Sequence, residues 1–311
     1  MPTRDESGSE DWAARSIQAL ESGGIPLAAQ ARLDDLRNRG GGFFTSDLTT
    51  NEFLLVRRAG FSPVTQVMGS CFYNIGWQWM PGGMGYASGG FGGYAEGRTI
   101  ELETQSAAWN DARRLAIGRL AEEAKRAGAD AVVGVRLQRG GFDWAAGLIE
   151  FVAVGTAVRS ERFELGPEPV LSNLTGQQFA ALFEHGYWPV GLTAATTVCY
   201  VMTGRRQQYT TGGFLSGRQN QELSDFTQGV YDTRALTMQR IDRQAHELNA
   251  HGVIGVELER EQREHERDMG GTHYTDLVLT MHVLGTAIVE LDRRDEPPPV
   301  YFGLPLNGEQ R

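Results

Sequence analysis

The chain has 311 residues, enough for two domains that each bury a core. Its 41% hydrophobic and 22% charged residues exclude a disordered chain. A net charge of −10 without a basic stripe excludes a nucleic-acid footprint, and no stretch approaches the ~18 apolar residues of a membrane span.

Residues 1–40 read as a helical arm. The opening Met1-Pro2-Thr3-Arg4-Asp5-Glu6 is polar and lacks the apolar core of a signal peptide, so the expected location is cytoplasmic. Asp11 to Arg39 predicts one or two short helices, with Pro26 placed to start the second. Ala29, Leu33 and Leu36 form its apolar stripe.

From residue 41 the chain runs through one pattern twice. Ser46-Asp47-Leu48-Thr49 matches Ser172-Asn173-Leu174-Thr175, and Gly60-Phe61-Ser62-Pro63-Val64 matches Gly186-Tyr187-Trp188-Pro189-Val190. Val133-Gly134-Val135 pairs with Ile254-Gly255-Val256, and Gly155-Thr156-Ala157 with Gly285-Thr286-Ala287. The offset drifts from 126 to 121 and then to 130, which places insertions in loops. Residues 41–163 and 170–292 are therefore two diverged copies of one α+β module.

Each copy predicts the same elements in order. A short strand, Phe43 to Ser46 in the first copy, leads to a capping box, Thr49-Thr50-Asn51-Glu52 or Thr175-Gly176-Gln177-Gln178. A short helix follows and exits at Gly60 or Gly186. An apolar strand comes next, Val64 to Ile75 or Val190 to Thr203, and then a glycine-rich loop. The main helix spans about Trp109 to Ala127 and Tyr231 to Leu248, ending at Gly128 and Asn249, residue types that accept positive φ. A β-hairpin closes each copy. In the second copy, pairing outward from Gly270-Gly271 sets Leu258 against Val283 and Val256 against Gly285. Ile254, Val256 and Leu258 then share a face with Leu279, Met281 and Val283. The second hairpin is about nine residues longer and highly charged, which reads as a solvated extension or as an arm docking on a neighbouring subunit.

The first copy's loop, from Pro81 to Tyr94, lacks the following helix and Lys-Ser/Thr of a phosphate loop. The aromatic anchors in and just before it, Trp77, Trp79, Tyr86, Phe91 and Tyr94, suggest packing on a neighbouring subunit, with a ligand lid as the second reading. Residues 293–311 form a proline-rich tail in which Tyr301 and Phe302 are further contact candidates. Cys71 and Cys199 lie in apolar strands and read as buried free thiols.

All six histidines fall in the second copy. On the hairpin register Asp268 faces His273, His265 faces Asp276, and Glu259 faces His282. Such pairs could seed a divalent-metal site. Each supplies only two ligands and the three are spread along the hairpin and over both faces, so charge pairing is the simpler account. No other cofactor is expected. The first copy has no histidine and no nucleophile–base pair is evident, so the chain reads as not an enzyme.

Gly128-Ala129-Asp130-Ala131-Val132-Val133-Gly134-Val135, followed by a strand ending Gly155-Thr156-Ala157-Val158, resembles the YbjQ family, named for heavy-metal binding. The likeness covers most of the first copy and, more weakly, the second, where the signature becomes Asn249-Ala250-His251-Gly252. It implies a β-α-β-β core with an antiparallel sheet similar to the dodecin subunit, and pentameric rings. It carries no ligand set. The expected protein is thus a large homo-oligomer built on pentameric rings, as a double ring, a closed shell, or a single ring in which the copies alternate. Arm and tail would clasp neighbouring subunits or hold cargo. The alternatives are a metal- or small-ligand-binding protein, and an enzyme with an inter-subunit site.

Overall fold

The computed structural model describes residues 6–38, 43–76, 98–141, 147–161, 166–204, 222–268 and 273–291. The arm is two helices, α1 (Glu6–Glu21) and α2 (Leu27–Asn38), joined by a turn that buries Ile25. The first module holds α3 (Thr50–Arg58), β1 (Phe61–Asn74), β2 (Arg98–Glu101), α4 (Glu103–Arg126), β3 (Ala131–Gly141) and β4 (Leu148–Ser160). The second holds β5 (Val170–Leu171), α5 (Gly176–Glu184), β6 (Tyr187–Met202), α6 (Ser224–Glu247), β7 (Gly252–Asp268) and β8 (His273–Glu290). The fold is α+β with two sheet-and-helix modules.

Local chemistry sets the boundaries. Thr49 and Thr175 accept the N–H of Glu52 and Gln178, whose side chains reach back to the cap N–H, so both capping boxes close. Gly60 and Gly186 leave their helices at φ +91° and +84°, and Asn249 leaves α6 at +52°. The long helices start earlier than the apolar pattern suggests, at Glu103 and Ser224. Their first turns carry polar residues that bind backbone rather than a hydrophobic stripe. The predicted strand at Phe43 to Ser46 is not formed: residues 43–49 have no strand partner among the described residues.

Both hairpins contain a β-bulge. Leu258 lies opposite Val283 as the turn predicts, but the register shifts between Ile254 and Glu257, so Ile254 faces Thr286 and Val256 has no simple partner. Gly255 at φ +60° makes the shift possible, and Gly134 at +65° does so in β3. The bulge overturns the alternation expected for Ile254, Val256 and Leu258. Val256 and Leu258 are each 44% exposed instead of joining the core.

The sheets do not follow the chain order of the copies. One has the order β1-β4-β3-β5 and the other β2-β6-β8-β7. Strand β2 of the first module pairs antiparallel with β6 of the second, Arg98 opposite Met202 and Glu101 opposite Cys199. Strand β5 of the second pairs parallel with β3 of the first. Each module thus completes its neighbour's sheet. The core is continuous across this exchange: Val67, Trp109, Leu120 and Phe151 pack in one cluster with Val198 and Tyr200. A second cluster joins Val56, Phe61 and Val133 to Phe179 and Phe183, with the rings of Phe61 and Phe179 edge-on at 5.2 Å.

Helix α4 approaches β1 most closely at Gly69. A Cβ there would lie 2.0 Å from the Ala116 carbonyl oxygen and 2.5 Å from the Leu120 nitrogen. The second copy carries buried Ala195 at the matching position. Gly69→Ala should therefore cost about 1–3 kcal/mol, read as a lowered urea midpoint at unchanged slope.

Candidate functional site at the module junction

The junction is built by the first two turns of α4 lying along the edge of β6. An edge strand has backbone groups that need partners. Strand β2 satisfies Cys199 to Met202. Beyond it, Leu102 N–H donates to the Val198 carbonyl at 2.8 Å, and Val198 N–H donates to Ser106 Oγ at 2.9 Å. Asn110 then imitates a strand rung, its Nδ2 donating to the Thr196 carbonyl at 2.8 Å and its Oδ1 accepting the Thr196 N–H at 3.0 Å. Arg113 donates to the Ala194 carbonyl and to Thr196 Oγ1, each at 2.8 Å. Ser106, Asn110 and Arg113 share one helix face at spacings of four and three.

From the second module, Arg240 holds Glu101 of β2 at 2.6 Å and donates to Thr197 Oγ1 at 2.6 Å. Thr99 donates to Asp232 at 2.8 Å. Polar clasps therefore cross the junction in both directions.

His282 sits at the centre, its ring edge-on to Trp109 at 5.1 Å. Thr196 Oγ1 accepts from Arg113 and lies 2.9 Å from Nδ1, within hydrogen-bond distance. The imidazole is neutral at physiological pH. Burial, with Arg139 and Arg113 nearby, pushes its pKa down to about 2. Burial and Arg240 lower Arg113 to about 10, which leaves it charged at neutral pH. Among the described residues Nε2 has no hydrogen-bond partner, and it faces a cavity of about 40 Å³ lined by Arg113, Arg139, Phe151 and Glu259. That is room for water rather than for a metabolite. The Thr196–His282 pair has the distance of a hydroxyl and its base, but Thr196 is fully buried. Its role is to lock β6 to α4.

The metal-ligand candidates take the expected rungs, with Asp268 opposite His273, His265 opposite Asp276, and Glu259 opposite His282. Their surroundings are those of separate structural contacts. Asp276 is fully buried and receives Arg267 at 2.6 Å, the Tyr200 hydroxyl at 2.6 Å and the Thr203 N–H at 2.8 Å. His265 packs edge-on to the Tyr200 ring at 5.6 Å. Glu259 is taken by Arg139. Six residues of strand separate the Glu259 rung from that of His265, about 20 Å. Among the described residues no group of three or more His, Cys, Asp or Glu converges as a metal site, so the donors present do not fit a heavy-metal centre. Trp77, Trp79, Tyr86, Phe91, Tyr94, Tyr301 and Phe302 lie outside the described residues. Burial raises both free thiols, Cys199 to about 11, which keeps them protonated.

Sequence reasoning missed Ser106, Asn110, Arg113 and Thr196. The available signal was a polar i, i+4, i+7 face on a helix whose neighbouring faces are apolar.

Two outcomes follow from this geometry. Asp276→Asn leaves Arg267 buried without its counter-charge and should cost about 3–5 kcal/mol in denaturant unfolding. For His282, the unfolded chain takes up a proton near pH 6.5 while the folded one refuses it until about pH 2. Stability is therefore lost as pH falls below 6.5. The wild type should lose about 1.4 kcal/mol per pH unit below pH 6 relative to His282→Gln, measured by urea midpoints from pH 7 to 5.

Comparison with known proteins finds a YbjQ-like domain in the chain. A family model described as "YbjQ, Putative heavy-metal-binding" matches residues 92–161, the end of the first copy. A UPF0145 protein of Clostridium perfringens is 43% identical over 58 residues, 19% of this chain and 53% of that protein. No solved structure gives a significant match. An encapsulin nanocompartment protein of Mycobacterium tuberculosis is 34% identical over 251 residues, covering 76% of this chain and 84% of the relative. Such identity across nearly the whole of that relative shows that the chain belongs to its family.

Proposed function

We propose that this chain is the subunit of a self-assembling shell, a large homo-oligomer built on rings of five-fold symmetry that close into a compartment. The junction carries this reading. Two modules of one kind are joined by a contact in which unlike surfaces meet, and contacts of that type close into rings or run on. The mycobacterial relative, an encapsulin nanocompartment protein by name, supports the closed form. The five-fold order is supported by the YbjQ resemblance.

The role is structural and not enzymatic. At the junction, the polar groups that in an enzyme would face substrate are spent on backbone: Arg113, Asn110 and Ser106 each hold β6. The helical arm and the proline-rich tail are the proposed cargo or clasp segments. Among the described residues no helix is long and apolar enough to cross a membrane.

Light scattering at micromolar concentration should give a mass many times 34.2 kDa, and negative-stain images should show rings or shells with five-fold views. A 34.2 kDa species would sink the assembly. Shells of another symmetry would remove only the ring size.

A further inference from the structure

At the junction, the stretch from Val170 to Leu174 lies along β3. Val170 N–H donates to the Asp130 carbonyl at 3.0 Å and Ser172 N–H to that of Val132 at 2.9 Å. Gly134 and Val135 donate back to the carbonyls of Leu174 and Ser172 at 2.8 and 2.9 Å. Both partners have counterparts elsewhere in the chain. Phe44 to Leu48 matches Val170 to Leu174, and Gly252 to Val256 of β7 matches Ala131 to Val135 of β3. Within one chain these counterparts do not pair. β7 ends its sheet, and residues 43–49 have no strand partner among the described residues.

The unpaired segment already has the shape of its counterpart. Thr156 Oγ1 accepts the Asp47 N–H at 3.2 Å and Ser46 Oγ accepts that of Leu48 at 3.0 Å. Thr286 and Ser172 do the same for Asn173 and Leu174, at 3.0 and 3.1 Å. Each segment is thus fixed to its own module before any neighbour arrives.

Exposure follows the same correspondence. Val135 is 1% exposed and its counterpart Val256 44%. Ala180 is 1% exposed and its counterpart Leu54 57%. Val135 and Ala180, which the junction covers, thus have apolar, exposed counterparts in Val256 and Leu54. Beside the free segment runs an open groove of about 420 Å³ lined by Phe44, Ser46, Leu48 and Phe53. At the junction the matching Leu174 and Phe179 are packed against Ala131 and Val133. An exposed edge with apolar side chains is a template for a further strand.

We propose that Phe44 to Leu48 adds as a parallel strand to β7 of a second copy of this chain, Phe44 opposite Gly252 and Thr45 opposite Val253. The contact between chains then repeats the contact that joins the modules within one. It rests on the self-assembly reading and specifies its geometry. The copies alternate around the assembly, and a closed ring holds whole chains, so five-fold order means five chains and ten modules, not a ring of five modules. Where the rotation per contact fails to close, the same contact gives a filament.

Paired cysteine variants in the full chain test this. A side chain at Gly252 enters open space, with no atom within 4 Å of the added Cβ. Phe44→Cys and Gly252→Cys, each alone, should give no disulfide-linked dimer under mild oxidation. Mixed, they should give dimer, and both changes in one chain should give a ladder of multimers on a non-reducing gel. A large particle by light scattering whose double variant gives no ladder, or whose single variants link to themselves, would overturn the strand contact and leave self-assembly standing. A 34.2 kDa wild type overturns both. As a check independent of cross-linking, Val256→Asp should reduce the particle mass while leaving circular dichroism and the urea midpoint unchanged. Full-size particles from a folded Val256→Asp chain would also refute the contact.

Discussion

Two short strands govern this structure, because each belongs by sequence to one module and by hydrogen bonding to the other. Arg98–Glu101 closes the edge of β6, and Val170–Leu171 closes the edge of β3. Buried backbone must be paired, and a module cut at the repeat boundary would leave both edges open. The placement of α4 follows from this. Its start is fixed by β2, one residue away, so its first turns run along β6 before the rest of the helix reaches β1. The unit that folds is the pair.

Apolar and polar contacts at the junction do different work. Burying Phe179 and Phe183 against Phe61 is worth about 1.5–3 kcal/mol for each side chain. A neutral hydrogen bond from α4 to β6 contributes about 1 kcal/mol net. Summed over the junction, the two contributions are of similar size. The polar row supplies register, since Asn110 and Arg113 meet backbone groups at fixed intervals and a slip would bury Arg113 without its acceptors. The same division explains why His282 is neutral. Burial and the charges of Arg139 and Arg113 disfavour a charged imidazole more than Glu261, 3.9 Å from Nε2, favours it.

Much of the fold is legible in the sequence because its signals are local. The capping boxes at Thr49 and Thr175, the exits at Gly60, Gly186 and Asn249, and the pairing of Leu258 with Val283 each depend on a few adjacent residues. The strand exchange depends on pairings far apart in sequence, such as Arg98 with Met202 and Ala131 with Val170, between two similar copies, and the repeat itself hides it. An alignment of copies cannot say which copy's strand completes which sheet. The bulges at Gly134 and Gly255 were written as Val-Gly-Val and Ile-Gly-Val, but glycine in a strand signals either a bulge or close packing, and only pairing decides. The junction site was missed for a related reason. Ser106, Asn110 and Arg113 look like a solvated helix face until β6 is laid against them. The strand expected at Phe43 to Ser46 has the right chemistry and lacks only a partner.

The exchanged β2 also bears on how the chain is made. Arg98 leaves the ribosome well before Met202, its partner in the sheet. At 5–20 residues per second the interval is about 5–20 s, long compared with the collapse of a domain. During that time the first module has a core but a dangling strand, and it exposes the edge of β3 that awaits β5. A nascent chain in that condition can accept the late strands of a neighbour on the same message as readily as its own. Crowded translation would then favour chains threaded through one another, and slow or well-spaced synthesis would favour chains that close on themselves first.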